Sequence, residues 1–444
     1  MKYNLKLAII SMKRNPVLSA LIIGAIGLGT GVFMILLTAY HFLDRNPLPD
    51  KSHQVFRVLV DSWGPDSEPG QAIWEAGEPP YMMTYTDAIN LMKSDIPTHS
   101  SAMFPTMMYM RPLQSNHSIK RPFQVSVRLT RTDFFPMFDT PFIYGQAWDR
   151  SADDGPVPVI VLSKETNDRV FGGANSVGES VELHNTHFKV VGVLDTWRPL
   201  PMYYNIMTLG FGVGQPEEVY IPFHFLEVMQ PGKTSPDFGW KSSEPGFENF
   251  LQSESTWLQF WAQLDSPEQK QAYLDFLDGY ALEQRDIGRF QRPLNNRVYD
   301  VQLWIEKVTS PIRGPALAFL VLGLLYLFVC IINLVGMLLG KYLGRIQEIS
   351  IRRALGAPRL AIFQQHIIEV SCLGILGGLV GLIISQVVLG VIRARFSLAE
   401  ELFALDGYLL LVAIIIATLA GVIAGVIPAW RACNAPPAEY LNTN

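Results

Sequence analysis

The sequence is poor in cysteine and in charged residues. Its 444 residues include three cysteines, Cys330, Cys372 and Cys433, and none of them lies between residues 44 and 313. That long stretch therefore has neither an internal disulfide nor a Cys-x-x-Cys metal module. Charged residues make up 17% of the chain, whereas an average soluble domain has about 25%. This shortage of charge excludes an ordinary soluble enzyme and a disordered tail.

No complete nucleotide-binding or catalytic motif occurs in the sequence. Residues 232–234 (Gly-Lys-Thr) end like a P-loop, but Glu227 stands where the first glycine of G-x-x-x-x-G-K-[ST] is needed. His184 and His187 bracket a turn without the further ligands that a zinc site requires. No G-x-S-x-G elbow marks a nucleophile. We therefore predict no catalytic, cofactor-binding or metal-ligating residues in this chain, and no nucleic-acid partner.

Long uncharged apolar runs, by contrast, are abundant. A helix needs about 20 apolar residues to cross a bilayer, and four runs exceed that length: residues 17–43, 314–340, 370–392 and 407–430. No ionisable residue lies in the middle of a run, so no proton relay is predicted. The sequence therefore predicts a membrane protein with four transmembrane α-helices and a large extracytoplasmic α+β domain inserted between helices 1 and 2.

Charge asymmetry predicts the side of the membrane on which each segment lies. Residues 1–16 contain four basic and no acidic residues, residues 341–369 contain five basic and two acidic ones, and residues 44–313 contain 23 basic and 34 acidic ones. Basic segments stay on the cytoplasmic side, so we expect both termini inside. The predicted organisation is an interfacial basic leader (1–16), the first span (17–43), the outer domain (44–313), the second span (314–340), a cytoplasmic loop (341–369), the third span (370–392), a short outer loop (393–406), the fourth span (407–430) and a cytoplasmic tail (431–444).

Alternation and capping signals predict mixed helix and strand in the outer domain. Strands are predicted at residues 55–60, 124–130, 157–162, 180–183, 188–194 and 219–222, and helices at residues 84–93, 163–171 and 266–283. The hairpin at 180–194 is expected to turn around Asn185 and Thr186. Residues 298–308 are expected to be extended, and residues 199–216 to form an irregular insertion.

Methionine is concentrated in one part of this domain. Seven of the fifteen methionines are Met82, Met83, Met92, Met103, Met107, Met108 and Met110. Methionine packs adaptably in cores and at permissive binding surfaces, and its thioether also binds Cu(I). Core packing, an apolar substrate or partner groove, and copper binding are therefore the three interpretations of this cluster.

Small residues recur four positions apart in the predicted spans. Such rows allow helices to approach closely where no hydrophobic force drives their association. The fourth span has the longest row, Ala413, Ala417, Gly421, Gly425 and Ala429. The residues that we predict to pack between helices are Gly336, Gly340, Gly377, Gly381, Ala417, Gly421 and Gly425.

The cytoplasmic loop predicts a helix, a sharp break and a second helix. Gly356 suits the position just after a helix end, and Pro358 suits the first position of the next helix. This geometry would expose Leu355 as an apolar knob, with Arg352 and Arg353 free to pair with an acidic partner surface or with anionic headgroups. The alternative is an ordinary basic loop that only satisfies the charge rule.

Several motifs resemble the FtsX/MacB-type ABC transporter permease family. They are Asn333 and Val335, Glu348-Ile349, Ile351-Arg352-Arg353-Ala354, Gly356-Ala357, Glu369, Gly377-Gly378 and Ile427-Pro428-Ala429-Trp430-Arg431-Ala432, followed by Pro436. Residues 120–222 also resemble the MacB-like periplasmic core, whereas residues 61–120 and 223–290 resemble it only weakly. The resemblance implies that an ATPase docks on Glu348, Ile349, Arg352, Arg353, Ala354, Leu355, Gly356 and Ala357.

The resemblance also implies partners and a function. Because the sequence begins shortly before its first span, we expect a separate dimeric ATPase subunit that holds ATP and Mg²⁺, together with a second permease chain, identical or paralogous. The implied function is mechanotransmission in a bacterial inner membrane, in which ATP-driven motion reaches the outer domain and exports a hydrophobic or peptide substrate. An efflux assembly would add a periplasmic adaptor and an outer-membrane channel. The alternatives are a LolC-like permease that extracts lipoproteins and an FtsX-type signalling subunit that controls a wall hydrolase or a sensor kinase. An enzyme with an outer active site is a further alternative that no motif supports.

Overall fold

A computed structural model describes residues 2–65, 77–113, 121–205, 215–232, 238–241, 243–396 and 407–434. The chain forms two compact units, which we call the helical unit (Met1–Asp44 and Ser310–Asn444) and the sheet unit (Arg45–Thr309). Several features named above lie outside the described residues: the end of the P-loop-like run (Lys233 and Thr234), the glycine-rich part of the predicted insertion (206–214), most of the short outer loop (397–406), and most of the cytoplasmic tail (435–444) with Pro436.

Long helices make up the helical unit. They are α1 (Lys2–Arg14), α2 (Pro16–Leu43), the larger part of α9 (Val301–Leu343), α10 (Ile346–Ala354), α11 (Arg359–Phe396) and α12 (Gly407–Asn434). Among the described residues, α2, α9, α11 and α12 are each long and apolar enough to cross a membrane. The predicted class, four apolar helices with a large α+β domain between the first two in the sequence, is confirmed.

The sheet unit is built on strands β1 (Val55–Leu59), β2 (His99–Pro112), β3 (Phe123–Thr130), β4 (Phe142–Gly145), β5 (Val159–Leu162), β6 (Ser180–Leu183), β7 (Thr186–Leu194), β8 (Val219–Pro222), β9 (Gln259–Gln263) and β10 (Arg297–Asp300). Hydrogen-bonded neighbours follow the order β10-β1-β9-β2-β3-β8-β5-β7-β4, and β6 pairs with β2 and β7. The pairs β3–β8 and β5–β7 are parallel and the other pairs are antiparallel.

Six shorter helices complete the sheet unit: α3 (Tyr85–Leu91), α4 (Phe134–Met137), α5 (Lys164–Phe171), α6 (Phe225–Met229), α7 (Phe247–Leu251) and α8 (Pro267–Asp286). Ser163 caps α5 by accepting a hydrogen bond from the N–H of Thr166, and Ser266 caps α8 in the same way. Gly172 ends α5 in the left-handed conformation, with φ of 66°. These local signals were sufficient to predict both helices.

Two predictions of local structure were wrong. The 180–194 hairpin turns at His184 and Asn185, which have φ of 50° and 65°, so Thr186 already belongs to β7. Two consecutive positive φ values are what a two-residue type I′ turn requires. Residues 298–308 are extended only as far as Asp300, because the Asp300 carboxylate accepts a hydrogen bond from the N–H of Leu303 and starts α9 at Val301.

The methionine cluster lies largely in the core. Met82, Met83, Met103, Met108 and Met110 are buried, the last three of them in the long strand β2, while Met107 is 43% exposed. Burial of five of the seven side chains supports the core-packing interpretation. Within the described residues, no group of three or more His, Cys, Asp or Glu side chains could hold a metal ion.

A buried polar network ties the middle of the sheet together. Arg128 on β3 is fully buried, pairs with the Glu217 carboxylate, and donates to Gln259 Oε1 on β9 at 3.0 Å. Asn205 donates to Glu217 at 2.8 Å and accepts from Gln259 at 2.8 Å, and the Tyr204 hydroxyl donates to Glu217 at 3.0 Å. Because each charge is paired inside the core, the network fixes the segment around Tyr203–Asn205 as part of the fold.

Small residues line the contact between α11 and α12. A Cβ placed on Gly421 would lie 2.9 Å from the Val370 carbonyl oxygen and 3.3 Å from the Gly374 Cα. A Cβ on Gly425 would lie 2.7 Å from the side chain of Val370, and Ala417 is fully buried. Gly421 and Gly425 therefore leave no room even for a Cβ unless their neighbours shift, and small residues at these positions let the two helices approach closely.

The α2–α11 contact uses glycines on both helices. A Cβ on Gly27 would lie 2.7 Å from Val380, and one on Gly377 would lie 2.5 Å from Ile26. Gly381 lies against Thr30 and the Gly27 carbonyl in the same manner. Gly336 and Gly340 on α9 differ, because a Cβ there would meet no atom of the chain within 4 Å. The packing of these two residues against another helix therefore stays a prediction.

Candidate coupling site

The predicted helix break lies at the residues that the sequence indicated. Helix α10 ends at Ala354, Gly356 has φ of +96°, and α11 begins at Arg359. The N–H of Gly356 donates to the Arg353 carbonyl and the N–H of Ala357 donates to the Arg352 carbonyl, each at 3.0 Å. This pair of bonds is a Schellman motif, which requires a left-handed residue and therefore favours glycine. We call residues 346–357 the coupling segment.

The coupling segment presents one strongly exposed apolar side chain. Leu355 is 84% exposed, and Ile351, one turn earlier, is 51% exposed. Ile349, which was also predicted to dock, is 6% exposed and packs in the core of the helical unit. Burial of Ile349 fixes which face of α10 packs inward, and Leu355 therefore lies on the outside. Ala354 and Gly356 are exposed beside Leu355.

The two arginines of the coupling segment have different partners. Arg352 lies 2.6 Å from Glu348 one turn earlier and also contacts Gln365 at 3.3 Å. Glu348 in turn lies 3.0 Å from Arg14 of α1. Arg353 donates to the Cys433 carbonyl at 3.1 Å, where it satisfies a terminal carbonyl of α12. Glu348 and Arg352 therefore form a half-exposed charged face, whereas Arg353 joins α10 to the end of α12.

An ion pair that sequence reasoning did not predict lies where α9 and α11 adjoin the coupling segment. Lys341 Nζ lies 2.6 Å from Glu369 Oε1, and both side chains are at most 1% exposed. His366 Nδ1 lies 3.7 Å from the other oxygen of Glu369, and the ring of His366 lies 4.2 Å from the ring of Tyr342. Charged side chains are almost never fully buried unless they are paired, so this arrangement holds α9 and α11 in one register.

Helix α1 is joined to the same ion pair. The Ser11 hydroxyl donates to Glu369 Oε1 and accepts from Arg345, whose other nitrogen donates to the Ser11 carbonyl at 3.2 Å. Arg345 directly precedes α10. We call Ser11, Lys341, Tyr342, Arg345, His366 and Glu369 the ionic cluster. It connects α1, α9 and α11 to Arg345, the residue that precedes the coupling segment.

One sequence signal could have revealed the ionic cluster. Lys341 directly follows the uncharged run 314–340, and Glu369 directly precedes the run 370–392. Both residues would therefore lie at the same membrane face if the two runs cross in opposite directions. The structure continues α9 to Leu343 and starts α11 at Arg359, so Lys341 lies near the end of α9 and Glu369 lies inside α11.

Together these features define a class of protein. Four helices able to cross a membrane surround glycine-rich contacts, a large sheet unit lies between the first and second of them in the sequence, and a short helix joins the second to the third. This is a multi-pass membrane protein with one large domain outside the bilayer.

Comparison with protein families identifies the chain. The family model for the MacB-like periplasmic core domain matches residues 19–275, and that for the FtsX-like permease C-terminal matches residues 320–437. Together they cover most of the chain. It belongs to the family of FtsX-like ABC transporter permeases with a MacB-like periplasmic domain, which confirms the resemblance that its motifs indicated.

Curated relatives are similar at low identity. The macrolide export ATP-binding/permease protein MacB of Syntrophobacter fumaroxidans is 22% identical over 343 residues, which cover 70% of this chain and 46% of that protein. The pyoverdine export ATP-binding/permease protein PvdT of Pseudomonas entomophila is 24% identical over 318 residues, with 70% and 42% covered. The chain thus spans less than half the length of these relatives.

Solved structures with some likeness to the chain include the periplasmic region of MacB from Actinobacillus actinomycetemcomitans. That match has a TM-score of 0.36 and 11% identity, and it covers 60% of this chain and 95% of the other. The extracellular domain of the transporter YknZ from Gram-positive bacteria gives a TM-score of 0.34 and 13% identity, with 55% and 100% covered.

Proposed function

We propose that this chain is the permease component of an ABC exporter and that a partner ATPase docks on the coupling segment. The observation that carries the proposal is Leu355, an apolar side chain 84% exposed at a sharp helix break. A knob of this kind is suited to a groove on a partner, where a buried anchor residue often contributes 2 kcal/mol or more, about 30-fold in affinity. The charged face formed by Glu348 and Arg352 would border the knob.

The proposal includes an orientation. Both termini and the coupling segment lie on the cytoplasmic side of a bacterial inner membrane, because residues 1–16 and 341–369 carry the excess of basic residues. ATP and Mg²⁺ are held by the ATPase, as a dimer, beneath two permease chains. Export across a second membrane would require a periplasmic adaptor and an outer-membrane channel as further partners.

The mechanism follows from how the coupling segment is held. A push on Leu355 would move α10, and Arg345 at the start of α10 is joined through Ser11 to the ion pair of Lys341 and Glu369. The push would therefore reach α9 and α11 together. Helix α9 is 43 residues long, or about 65 Å at 1.5 Å per residue, and includes residues of both units. It is the segment proposed to carry motion to the periplasmic domain.

The experiment is co-purification of the ATPase with a tagged full-length chain from the native host. The wild-type chain first identifies the bound ATPase, and Leu355→Asp should then lower its recovery at least about 30-fold while membrane insertion persists. Leu282→Asp is the matched control, because Leu282 on α8 is an exposed leucine of the sheet unit, 45% exposed, and the variant should retain the ATPase.

Full recovery and full ATP turnover with Leu355→Asp would refute docking at this segment. The cargo is proposed to be hydrophobic or peptidic, in line with export by the relatives that the comparisons name. No observation on this chain favours lipoprotein extraction or the signalling role over export.

A further inference from the structure

The sheet unit contains an open apolar cavity of about 420 Å³, distinct from the coupling segment. Its walls are Phe104 of β2, Phe247 and Phe250 of α7, Trp257, and Pro231. Phe104, Phe250 and Trp257 are buried. Residues 243–246 form an exposed rim. We call this feature the aromatic cavity. Apart from Phe104, its described lining residues lie between residues 231 and 257.

The walls of the aromatic cavity are fixed in place. The ring of Trp257 lies 4.9 Å from that of Phe104 and 5.0 Å from that of Phe250, within the range of favourable edge and tilted contacts. Thr106 donates to the Gly232 carbonyl at 2.9 Å, and Asn249 donates to the Pro245 carbonyl at 2.9 Å. These bonds hold one wall and the rim, so the cavity exists before any ligand arrives, as small-molecule sites do.

The size and lining of the cavity define the ligand that fits it. A dry engineered cavity of about 150 Å³ binds benzene, so about 420 Å³ accommodates two to three rings. Aromatic walls set edge-on and tilted favour a flat ring over a flexible chain. Glu244 is the one charged side chain among the described lining residues, and it lies exposed at the rim. Its carboxylate favours a cation and disfavours an anion at the entrance.

From these observations we infer that the aromatic cavity is a binding site for small apolar molecules with two or three rings, preferably ones carrying a positive charge at one end. The inference goes beyond the proposed function, because it concerns binding by the sheet unit itself and holds whether or not an ATPase docks on the coupling segment.

A thiol introduced at the rim reports on occupancy. None of the three cysteines lies in the sheet unit, so Ser243→Cys in the full-length chain gives a unique exposed thiol there. The rate at which a charged, water-soluble maleimide alkylates this thiol is measured at increasing concentrations of 1-naphthylmethylamine, which has two rings and a positive charge. The rate should fall saturably, about tenfold at about nine times the dissociation constant. Ser151→Cys, at an exposed site away from the cavity, should react at a constant rate.

Two related probes test the chemistry of the ligand. Naphthalene-2-sulfonate has the same rings with an anion, and decylamine has the cation without rings, so both should protect the thiol more weakly. Glu244→Gln should weaken protection by the naphthyl amine about two- to fivefold, the range of an exposed ion pair. Stronger protection by decylamine would overturn the assignment to ring-bearing molecules, and equal slowing of both thiols would show that no site is involved.

A filled cavity provides the decisive control. Gly232 lines the cavity, and a Cβ there meets no atom within 4 Å, so Gly232→Phe can place a ring inside and should abolish protection. Gly279 on α8 is equally open, and Gly279→Phe should preserve it. Saturable protection that persists in Gly232→Phe, or no protection of the wild-type cavity by any probe, would overturn the inference.

Discussion

Lys341 and Glu369 form a fully buried ion pair, with Nζ 2.6 Å from Oε1, that joins two membrane-spanning helices. Their positions in the sequence are 28 residues apart, on either side of the coupling segment. Removing one member would leave the other charge buried without its partner, whereas replacing both by apolar residues removes the desolvation penalty as well. We therefore expect replacement of one member to lower the stability of the chain strongly, and replacement of both members by apolar residues to lower it much less.

The first prediction tests this asymmetry. Lys341→Met alone should lower the stability of the purified chain by about 3–5 kcal/mol, whereas Lys341→Met with Glu369→Met should recover most of the loss. Thermal unfolding in detergent measures both. Arg14→Gln is the control, because Arg14 pairs with Glu348 while 68% exposed, and an exposed pair contributes at most about 1 kcal/mol. A double variant less stable than either single one would contradict the argument.

The second prediction concerns the contact between α11 and α12. Gly421→Leu would drive a side chain into the Val370 carbonyl and the Gly374 backbone, and overpacking of this kind typically costs about 1–3 kcal/mol or more. Lower expression and a lower melting temperature should result. Gly336→Leu is the matched control, since its Cβ meets no atom of the chain, and its monomer stability should be unchanged. Normal behaviour of Gly421→Leu would place that face of α12 away from α11.

The sequence predicted these features unequally. The caps Ser163 and Ser266 and the break at Gly356 were predictable because each is set by a few neighbouring residues. Strand β2 was missed, since its run of methionines with Pro105 has little strand propensity, and the sheet is what makes it a strand. Only the three-dimensional fold places its backbone between β3 and β9.

The candidate site shows the same division. Exposure of Leu355 follows from the local break, but burial of Ile349 depends on the packing of distant helices. The ionic cluster depends on it even more, because Ser11 and Glu369 are separated by 358 positions. The spacing of residues within one helix cannot indicate which residues of a distant helix lie against it. The sequence alone therefore places Lys341 in the cytoplasmic loop 341–369 and indicates no partner for it.

The third prediction concerns pH and the sheet unit. Burial raises the pKa of the Asp153 carboxyl to about 6, against the opposing hydrogen bonds from Trp148 and the Thr132 N–H and the charge of Arg131. The folded state thus holds this proton more tightly than the unfolded state, whose pKa is near 3.8. The stabilisation is present below about pH 4 and is lost as pH rises through about 6, by an amount on the order of 3 kcal/mol.

Asp153→Asn removes the dependence of stability on pH that this carboxyl causes, and it keeps an oxygen that accepts the hydrogen bond from Trp148. Relative to the wild type, the variant should therefore gain stability between about pH 4 and pH 6. Urea unfolding followed by tryptophan fluorescence measures it, since eight of the nine tryptophans lie in the sheet unit. Asp154→Asn, at an exposed carboxylate, should leave the profile unchanged. If the difference in unfolding free energy between Asp153→Asn and the wild type stayed constant from pH 4 to pH 6, the raised pKa of Asp153 would be contradicted.

The last prediction separates the two arginines of the coupling segment. Arg353 donates to the Cys433 carbonyl at 3.1 Å, and a cation at a helix C-terminus satisfies terminal carbonyls and interacts favourably with the helix dipole. Arg353→Ala should therefore loosen the last turn of α12, with faster amide hydrogen exchange at residues 430–434.

Arg352→Ala should leave that exchange unchanged, because Arg352 pairs with Glu348 on its own helix at 2.6 Å. It should instead weaken retention of the ATPase, by less than Leu355→Asp does, and the effect should be larger at low salt because salt screens exposed charges. Mass spectrometry of deuterated peptides measures the first effect and co-purification the second. Equal exchange at the end of α12 in both variants would show that the bond from Arg353 to Cys433 does not hold α12 against the coupling segment.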